Sequence, residues 1–236
     1  MKRVDPDPRS PAATIPMRER SRSAAGSRTI VIGDVHGCHG ELLALLDKIG
    51  PGESDEIICV GDLVRKGPES AAVIDWVMRT PNVSCVLGNH EVRLLEKWFS
   101  GELPGKDPEE GRMVRRLGDS LNGAMEFIRS WPLHLERDGF LVVHAGLDPR
   151  IPSLGLQSPH DLLTIRVPEG MDDPWYESYT GETTVVFGHW ARPEPVVREN
   201  AIGLDTGCVY GGRLTAVILP ERNLVSVPAK RAYSGK

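Results

Sequence analysis

The sequence is short of cysteine, of aromatic residues and of long apolar runs. Among 236 residues there are 4 cysteines, and aromatic side chains make up 6%. Cys38, Cys59, Cys85 and Cys208 form neither a Cys-x-x-Cys pair nor a dense framework, which excludes a disulfide-stapled scaffold. With no secretory leader in view, they read as reduced thiols of a cytoplasmic protein. Cys59 and Cys85 lie inside apolar runs and read as small buried hydrophobes. Cys38 and Cys208 lie beside glycine-rich motifs, with nothing nearby to depress a thiol pKa. No apolar stretch approaches the roughly 18 residues that a membrane span requires. An excess of positive charge is missing too: 28 Lys and Arg against 33 Asp and Glu leave a formal net charge of -5. That gives no general attraction to nucleic acid or to a membrane surface. A chain of this length with 40% hydrophobic residues can bury a sizeable core as one domain.

Residues 1–27 are rich in Pro, Ser, Ala and Arg and poor in large apolar side chains. Burial cannot offset the entropy of ordering such a segment, so it is expected to be disordered. Its arginines raise the alternative of a transit peptide. Asp5, Asp7, Glu19 and the missing amphipathic pattern argue against that, and Met17 is a second candidate start. The folded domain is expected over residues 28–230. Strands are predicted at 29–32, 56–60 and 83–87, followed by helices at 41–49, 69–79 and 91–99. Three such units in succession imply a parallel sheet with right-handed crossovers. Residues 102–112 are charged and loop-like and 113–131 helical, read together as an insertion at about 102–131 that caps a site. Short strands follow at 133–136, 140–143, 183–187, 201–205, 214–219 and 224–227, with turns at Asp138-Gly139 and Arg222-Asn223. These are expected to form a second sheet packed on the first, with helices on the outer faces.

Five short motifs carry the chemistry: Gly33-Asp34-Val35-His36-Gly37, Gly61-Asp62-Leu63-Val64, Gly88-Asn89-His90-Glu91, Val143-His144-Ala145-Gly146 and Phe187-Gly188-His189. A lone Gly-Asp after a strand is usually a turn, and a lone His is more often structural. Together, in order and each after an apolar run, they supply oxygen and imidazole ligands for two adjacent cations. In an open parallel sheet, ligands gather at the carboxyl ends of the strands. Asp34, Asp62 and Asn89 each fall one or two residues past a predicted strand and so point into one crevice. Asp34 and His36 are two apart, which in extended backbone sends both to one face. The neighbouring glycines let the backbone approach the ions. A bridging carboxylate, for which Asp62 is best placed, holds two cations about 3.5–4 Å apart. Mixed Asp, Asn and His ligation suits manganese, iron or zinc better than magnesium or calcium.

These motifs resemble those of the calcineurin-like metallophosphoesterases, over about residues 30–219. Within that superfamily they are similar to the branch of serine/threonine protein phosphatases and symmetrical bis(5'-nucleosyl)-tetraphosphatases. Gly61-Asp62-Leu63-Val64-Arg65-Lys66-Gly67-Pro68 and Gly203-Leu204-Asp205-Thr206-Gly207-Cys208-Val209-Tyr210-Gly211-Gly212 look most like the ApaH-like phosphatases. The resemblance implies an α/β fold, a four-layer αββα sandwich of two mixed β-sheets. It implies that Asp34, His36 and Asp62 bind one metal ion, and that Asp62, Asn89, His144 and His189 bind the other. A bridging water or hydroxide would attack phosphorus, and His90 would protonate or stabilise the leaving oxygen. Lys66 would hold a non-reacting phosphate oxygen where the family has Arg, and Arg166 is the candidate for a second clamp.

The chain departs from the protein phosphatases at one point. They have Asp-Arg where this chain has Arg65-Lys66, and that Asp pairs with the catalytic His. Without it, and beside a cation, His90 should hold its proton less firmly. A serine alkoxide needs that proton on leaving, whereas a departing phosphate, with a second pKa of about 6, leaves largely without it. Arg65 adds a charge that favours a polyanion, and Arg65→Asp is expected to shift activity from anhydrides toward phosphoesters. Lys for Arg keeps the charge and gives up bidentate geometry. The expected substrate is therefore a phosphoanhydride: a dinucleoside tetraphosphate, a nucleotide or polyphosphate. The alternatives are a protein phosphatase acting on a phosphoprotein, with Trp98, Trp175 and Trp190 lining a peptide crevice or stacking on adenine, and a catalytically silent binding scaffold.

Overall fold

The computed structural model describes residues 28–235, so the expectation for residues 1–27 lies outside it. Strand β1 (Thr29–Ile32) pairs in parallel with β2 (Glu56–Cys59), and β2 with β3 (Val83–Cys85). Helices α1 (His39–Ile49) and α2 (Ser70–Arg79) make the two crossovers, as the strand–helix alternation predicts. The four residues of β1 are all buried and divide by parity. Ile30 and Ile32 pack with Leu42 and Leu45 of α1, and Val31 packs on the opposite face. Helix α1 stops at Gly50, which takes φ 61° and donates its N–H to Leu46 O at 2.9 Å. Strand β3 ends two residues earlier than predicted because Leu87 leaves the parallel ladder and donates to Pro132 O at 2.8 Å.

The second half of the chain is shared between two sheets. β4 (His134–Arg137), β5 (Phe140–Val143), β6 (Thr184–Phe187), β7 (Val196–Val197) and β8 (Ala201–Gly203) form one sheet in the order β4-β5-β6-β8-β7. β9 (Arg213–Leu219) and β10 (Asn223–Pro228) return to the first sheet, whose order is β10-β9-β1-β2-β3. This corrects the expectation that all the later strands belong to the second sheet. A parallel unit starting at β1 leaves one edge of that strand open, and β9 closes it in antiparallel register, Thr29 opposite Leu219. Both sheets are thus mixed. Between them lies an apolar layer of Val31, Ile58 and Val217 from one side and Leu135, Val142, Val186 and Ile202 from the other. The tight turn at Asp138-Gly139 is as predicted, with Gly139 at φ 84° and Arg137 opposite Phe140.

The outer layers differ in thickness. Helices α1 and α2, with α3 (Asn89–Phe99), cover the first sheet. The second is covered by the short α6 (Pro159–Thr164) and a single turn at Trp175–Glu177, where Leu162, Trp175 and Tyr176 meet Val143 and Phe187. Residues 102–131 hold α4 (Pro108–Leu117) and α5 (Leu121–Arg129). Helix α4 begins five residues before the predicted helical patch because Asp107 caps it, accepting from Glu109 N–H at 2.9 Å, and Pro108 opens it. No helix among the described residues is long and apolar enough to cross a membrane.

Candidate active site

The five motifs meet at the carboxyl ends of the parallel strands. Asp34 and His36 follow β1, Asp62 follows β2, Asn89 and His90 open α3, His144 follows β5, and His189 follows β6. These turns are sharp. Non-glycine residues take positive φ at His36 (45°), Asp62 (51°), Arg65 (69°), Lys66 (66°) and His189 (67°), with Arg222 alone lying elsewhere among the described residues. Such concentrated backbone strain is typical of a functional site. Gly188 sits against Asp34 so closely that any Cβ would overlap its carboxylate.

Asp62 is the centre of the arrangement. Its Oδ2 lies 3.5 Å from His36 Nε2 and 3.9 Å from His90 Nε2. Its Oδ1 lies 3.5 Å from His144 Nε2 and accepts the His90 backbone N–H at 2.9 Å. Asn89 Oδ1 is 3.0 Å from both His144 Nε2 and His189 Nδ1. Asp34 accepts the His189 backbone N–H on both oxygens at 3.1 Å. Ligand atoms thus gather into two groups sharing Asp62: one with His36 and His90, one with His144 and His189. Five of the six predicted ligands, His36, Asp62, Asn89, His144 and His189, meet through these side-chain contacts, Asp34 is held beside them by the His189 backbone N–H, and His90 stands beside His36 with ring centroids 4.8 Å apart. The far nitrogens of two imidazoles are fixed by backbone carbonyls: His36 Nδ1 to Val64 O at 3.1 Å and His144 Nδ1 to Val60 O at 2.9 Å. That leaves Nε2 of each ring toward Asp62.

Glu91 has no role in the motif reading beyond its membership, yet it shapes the site. Fully buried, it accepts N–H groups from Asp62 (2.7 Å), Leu63 (2.8 Å), Val64 (3.1 Å) and Gly88 (3.0 Å). One carboxylate therefore holds the loop carrying Asp62 against the start of α3. Its signal in the sequence is the Glu three residues after Gly88, a side chain positioned to reach back to the helix start.

Burial dominates the electrostatics. It raises the Asp34 carboxyl well above the usual range, aided by Asp205 and Asp62, and lifts Asp62 to about 7. Burial lowers His144 to about 4 and His189 to about 3, and pushes His36 and His90 down as well. For His90 the expected loss of proton affinity is present, with burial as its main cause and His36 and Lys66 next. Buried imidazoles with lowered proton affinity, set around crowded carboxylates, form a donor set that divalent cations fit, because the ions relieve the carboxylate repulsion and bind unprotonated nitrogen.

A cleft of about 520 Å³ lies over this cluster, lined in part by Lys66, Arg93, Arg166, Trp190, Asp205 and Tyr210. Lys66 Nζ is 3.1 Å from His36 Nε2 and stands over the Tyr210 ring at 5.2 Å. Arg166 lines the cleft as expected. Arg65 does not. Its guanidinium turns to α4, 3.2 Å from the buried Glu110 and 3.7 Å from Asp107, and Glu110 also takes Lys97 at 2.7 Å. The cation missed by the sequence reading is Arg93, three residues after His90 and hence on the same face of α3. Of the three tryptophans, only Trp190 lines the cleft. Trp175 is core, donating to Ala145 O at 3.1 Å, and Trp98 bonds Asn122 at 3.2 Å. Arg65→Asp would set a third carboxylate beside Glu110 and Asp107. It is expected to cost about 1–3 kcal/mol of stability, as for a stranded buried polar group, read as a lower melting temperature, without the gain in phosphoester hydrolysis that adjacency to the site had suggested.

Comparison with known proteins identifies the family. Residues 27–225 match the calcineurin-like phosphoesterase family. The chain is 31% identical to the symmetrical bis(5'-nucleosyl)-tetraphosphatase of Janthinobacterium sp. (strain Marseille), over 84% of this chain and 95% of that protein. It is also 31% identical to the asymmetrical bis(5'-nucleosyl)-tetraphosphatase PrpE of Geobacillus thermodenitrificans (strain NG80-2), over 86% of this chain and 95% of that one. Among crystal structures, that of a candidate diadenosine tetraphosphatase superposes with a TM-score of 0.73 at 31% identity, covering 89% of this chain and 97% of that one. A serine/threonine phosphatase of Saccharomyces cerevisiae, at 18% identity and a TM-score of 0.62, covering 90% of this chain and 83% of its own, shares the fold. A family match across nearly the whole described domain, with relatives of similar extent, makes this chain a member of the calcineurin-like phosphoesterase family, hydrolases that employ divalent metal ions.

Proposed function

We propose that this protein hydrolyses a phosphoanhydride bond of a dinucleoside tetraphosphate, with two divalent ions, manganese foremost, held by Asp34, His36, Asp62, Asn89, His144 and His189. One observation carries the reading: the two oxygens of the buried Asp62 face two separate imidazole groups. When bound, the ions supply a water nucleophile at neutral pH and neutralise charge on the phosphoryl group. Water oxygen bonds to phosphorus, the bridging P–O bond breaks, and a phosphate-bearing fragment departs. Lys66, Arg93 and Arg166 line the cleft and are assigned to holding the non-reacting oxygens. His90, buried in the wall of the cleft, is assigned to the leaving oxygen, which as a phosphate has little need of its proton. The names of the relatives at 31% identity support this substrate class. Four free, buried cysteines support a reducing, cytoplasmic setting.

The deciding assay compares diadenosine tetraphosphate with a phosphoserine peptide on the manganese-loaded enzyme. Three cleft cations able to engage a polyanion should give the anhydride at least about a tenfold advantage in kcat/KM. Chelation should abolish turnover and manganese restore it. A preference for the phosphopeptide, or turnover indifferent to chelation, would sink the proposal.

A further inference from the structure

Arg65 and Lys66 hold left-handed backbone in succession, at φ 69° and 66°. Residues with a Cβ adopt that conformation rarely, and it persists only where the surroundings over-determine it. Residues 60–69 lie outside every helix and strand, so no ladder of their own fixes this turn. Its constraints come from the insertion. The Arg65 guanidinium lies 3.2 Å from Glu110 and 3.7 Å from Asp107. The Arg65 backbone N–H donates to Ser70 Oγ at 2.9 Å, and the Ser70 N–H reaches Glu109 at 3.4 Å. All three carboxylates belong to the first turn of α4 or to its cap. Glu110 is fully buried. It is held in turn by Lys97 Nζ, at 2.7 and 2.9 Å from its two oxygens, and by the Gly105 N–H at 3.2 Å. Lys66, the next residue after Arg65, goes the other way, into the cleft, with Nζ 3.1 Å from His36 Nε2.

We propose that Glu110, a residue of the insertion, is a positioning residue for the reaction: by anchoring Arg65 it fixes the left-handed turn that aims Lys66 at the phosphoryl group. This rests on the assignment of Lys66 to a non-reacting phosphate oxygen made above, and it extends the site to a helix that touches neither substrate nor metal ligand. A lysine ammonium rides on a flexible stem, and from a loose turn it would sample many places. A charge that must meet a phosphoryl oxygen as the bridging bond breaks acts most strongly when it is already in place. Anchor and aim diverge from adjacent residues, so any shift of the Arg65 backbone is passed directly to Lys66. Lys97 loads the same carboxylate from α3. That helix is fixed by its own hydrogen bonds, so the Lys97 contact secures α4 and is not needed for the aim.

The test is a double-mutant cycle on the full chain loaded with manganese: wild type, Glu110→Gln, Lys66→Ala and the double variant. Two quantities are read, kcat/KM for diadenosine tetraphosphate and the affinity for inorganic phosphate by calorimetry. Lys66→Ala is expected to lower kcat/KM by about 10²-fold, the scale of one lost phosphoryl donor, and Glu110→Gln by about tenfold. On the Lys66→Ala background Glu110→Gln should change it by less than about twofold, because nothing remains to be aimed. Phosphate affinity should show the same non-additivity. Lys97→Met removes the other cation from Glu110. It should lower the melting temperature and leave kcat/KM within about twofold of wild type, an outcome that a merely structural Glu110 would not separate from its own. If Glu110→Gln does not fold, Arg65→Gln cuts the same anchor from its other end and takes its place in the cycle. Losses that multiply in the double variant, a Glu110→Gln enzyme as active as wild type, or a Lys97→Met enzyme as impaired as Glu110→Gln would overturn the role of Glu110 while leaving phosphoanhydride hydrolysis standing. A Lys66→Ala enzyme as active as wild type would overturn it together with the Lys66 assignment. If the wild type acts on a phosphoserine peptide and not on diadenosine tetraphosphate, the phosphoanhydride reading fails, and the same cycle on the peptide still decides the role of Glu110.

Discussion

Asp62→Asn is expected to lose most of the bound metal and at least about 10²–10³-fold in kcat, the scale seen when a preorganised charged partner is removed from a site. The amide is nearly the same shape as the carboxylate. Its oxygen can still accept the His90 backbone N–H that Asp62 Oδ1 takes at 2.9 Å, so the start of α3 stays in place. What disappears is the negative charge, and with it the donor common to both imidazole groups. Asn89 with His144 and His189 remains on one side, and Asp34 with His36 on the other. Neither set then includes an oxygen shared with its neighbour. Elemental analysis of the purified variant should fall from about two ions per chain to below one, while the melting temperature of the chelated protein changes little. Full metal occupancy in an inactive Asp62→Asn variant would remove Asp62 from its bridging role.

Glu91→Ala is expected to be the most destabilising single substitution at the site. The side chain is fully buried and satisfies four backbone N–H groups at 2.7 to 3.1 Å. Each orphaned buried donor costs about 1–3 kcal/mol. Even with partial relaxation the loss should reach roughly 3 kcal/mol, since the groups share one acceptor and their losses overlap rather than add. For a domain of this size that is a fall of about 6–12 °C in melting temperature. Burial and the adjacent Asp62 raise the Glu91 pKa to about 7, with the N–H groups pulling against them. Glu91→Gln keeps an oxygen for some of these donors and loses the charge, so it should fall between wild type and Ala in stability. Both variants should bind metal more weakly than wild type, because the loop that presents Asp62 is no longer fixed. Calorimetry on the chelated proteins separates the folding effect from the metal effect. A Glu91→Ala melting temperature within about 2 °C of wild type would mean that the four donors find other partners.

The proposed ligands were legible in the chain alone. Asp34, His36, Asp62, Asn89, His144 and His189 occur in short segments bounded by glycine. A chain can turn sharply enough to expose such side chains only where the local residues allow it, so this part of the site is written in neighbours. The first three strands and their helices were legible for the same reason: the periodicity of burial is a local property. Pairing between distant segments was not. Strands β9 and β10 looked like any other short strands, and only the open edge of β1 decided which sheet they join. Arg65 adjoins Lys66 in the chain, yet Glu110 and Asp107, more than forty residues on, turn it away from the cleft. Arg93 and Asp205 enter the cleft in its stead, along with Trp190 from beyond β6. A charge on a surface loop goes to whichever opposite charge the folded chain brings nearest, and that choice is made by packing across the whole domain rather than by the residues on either side.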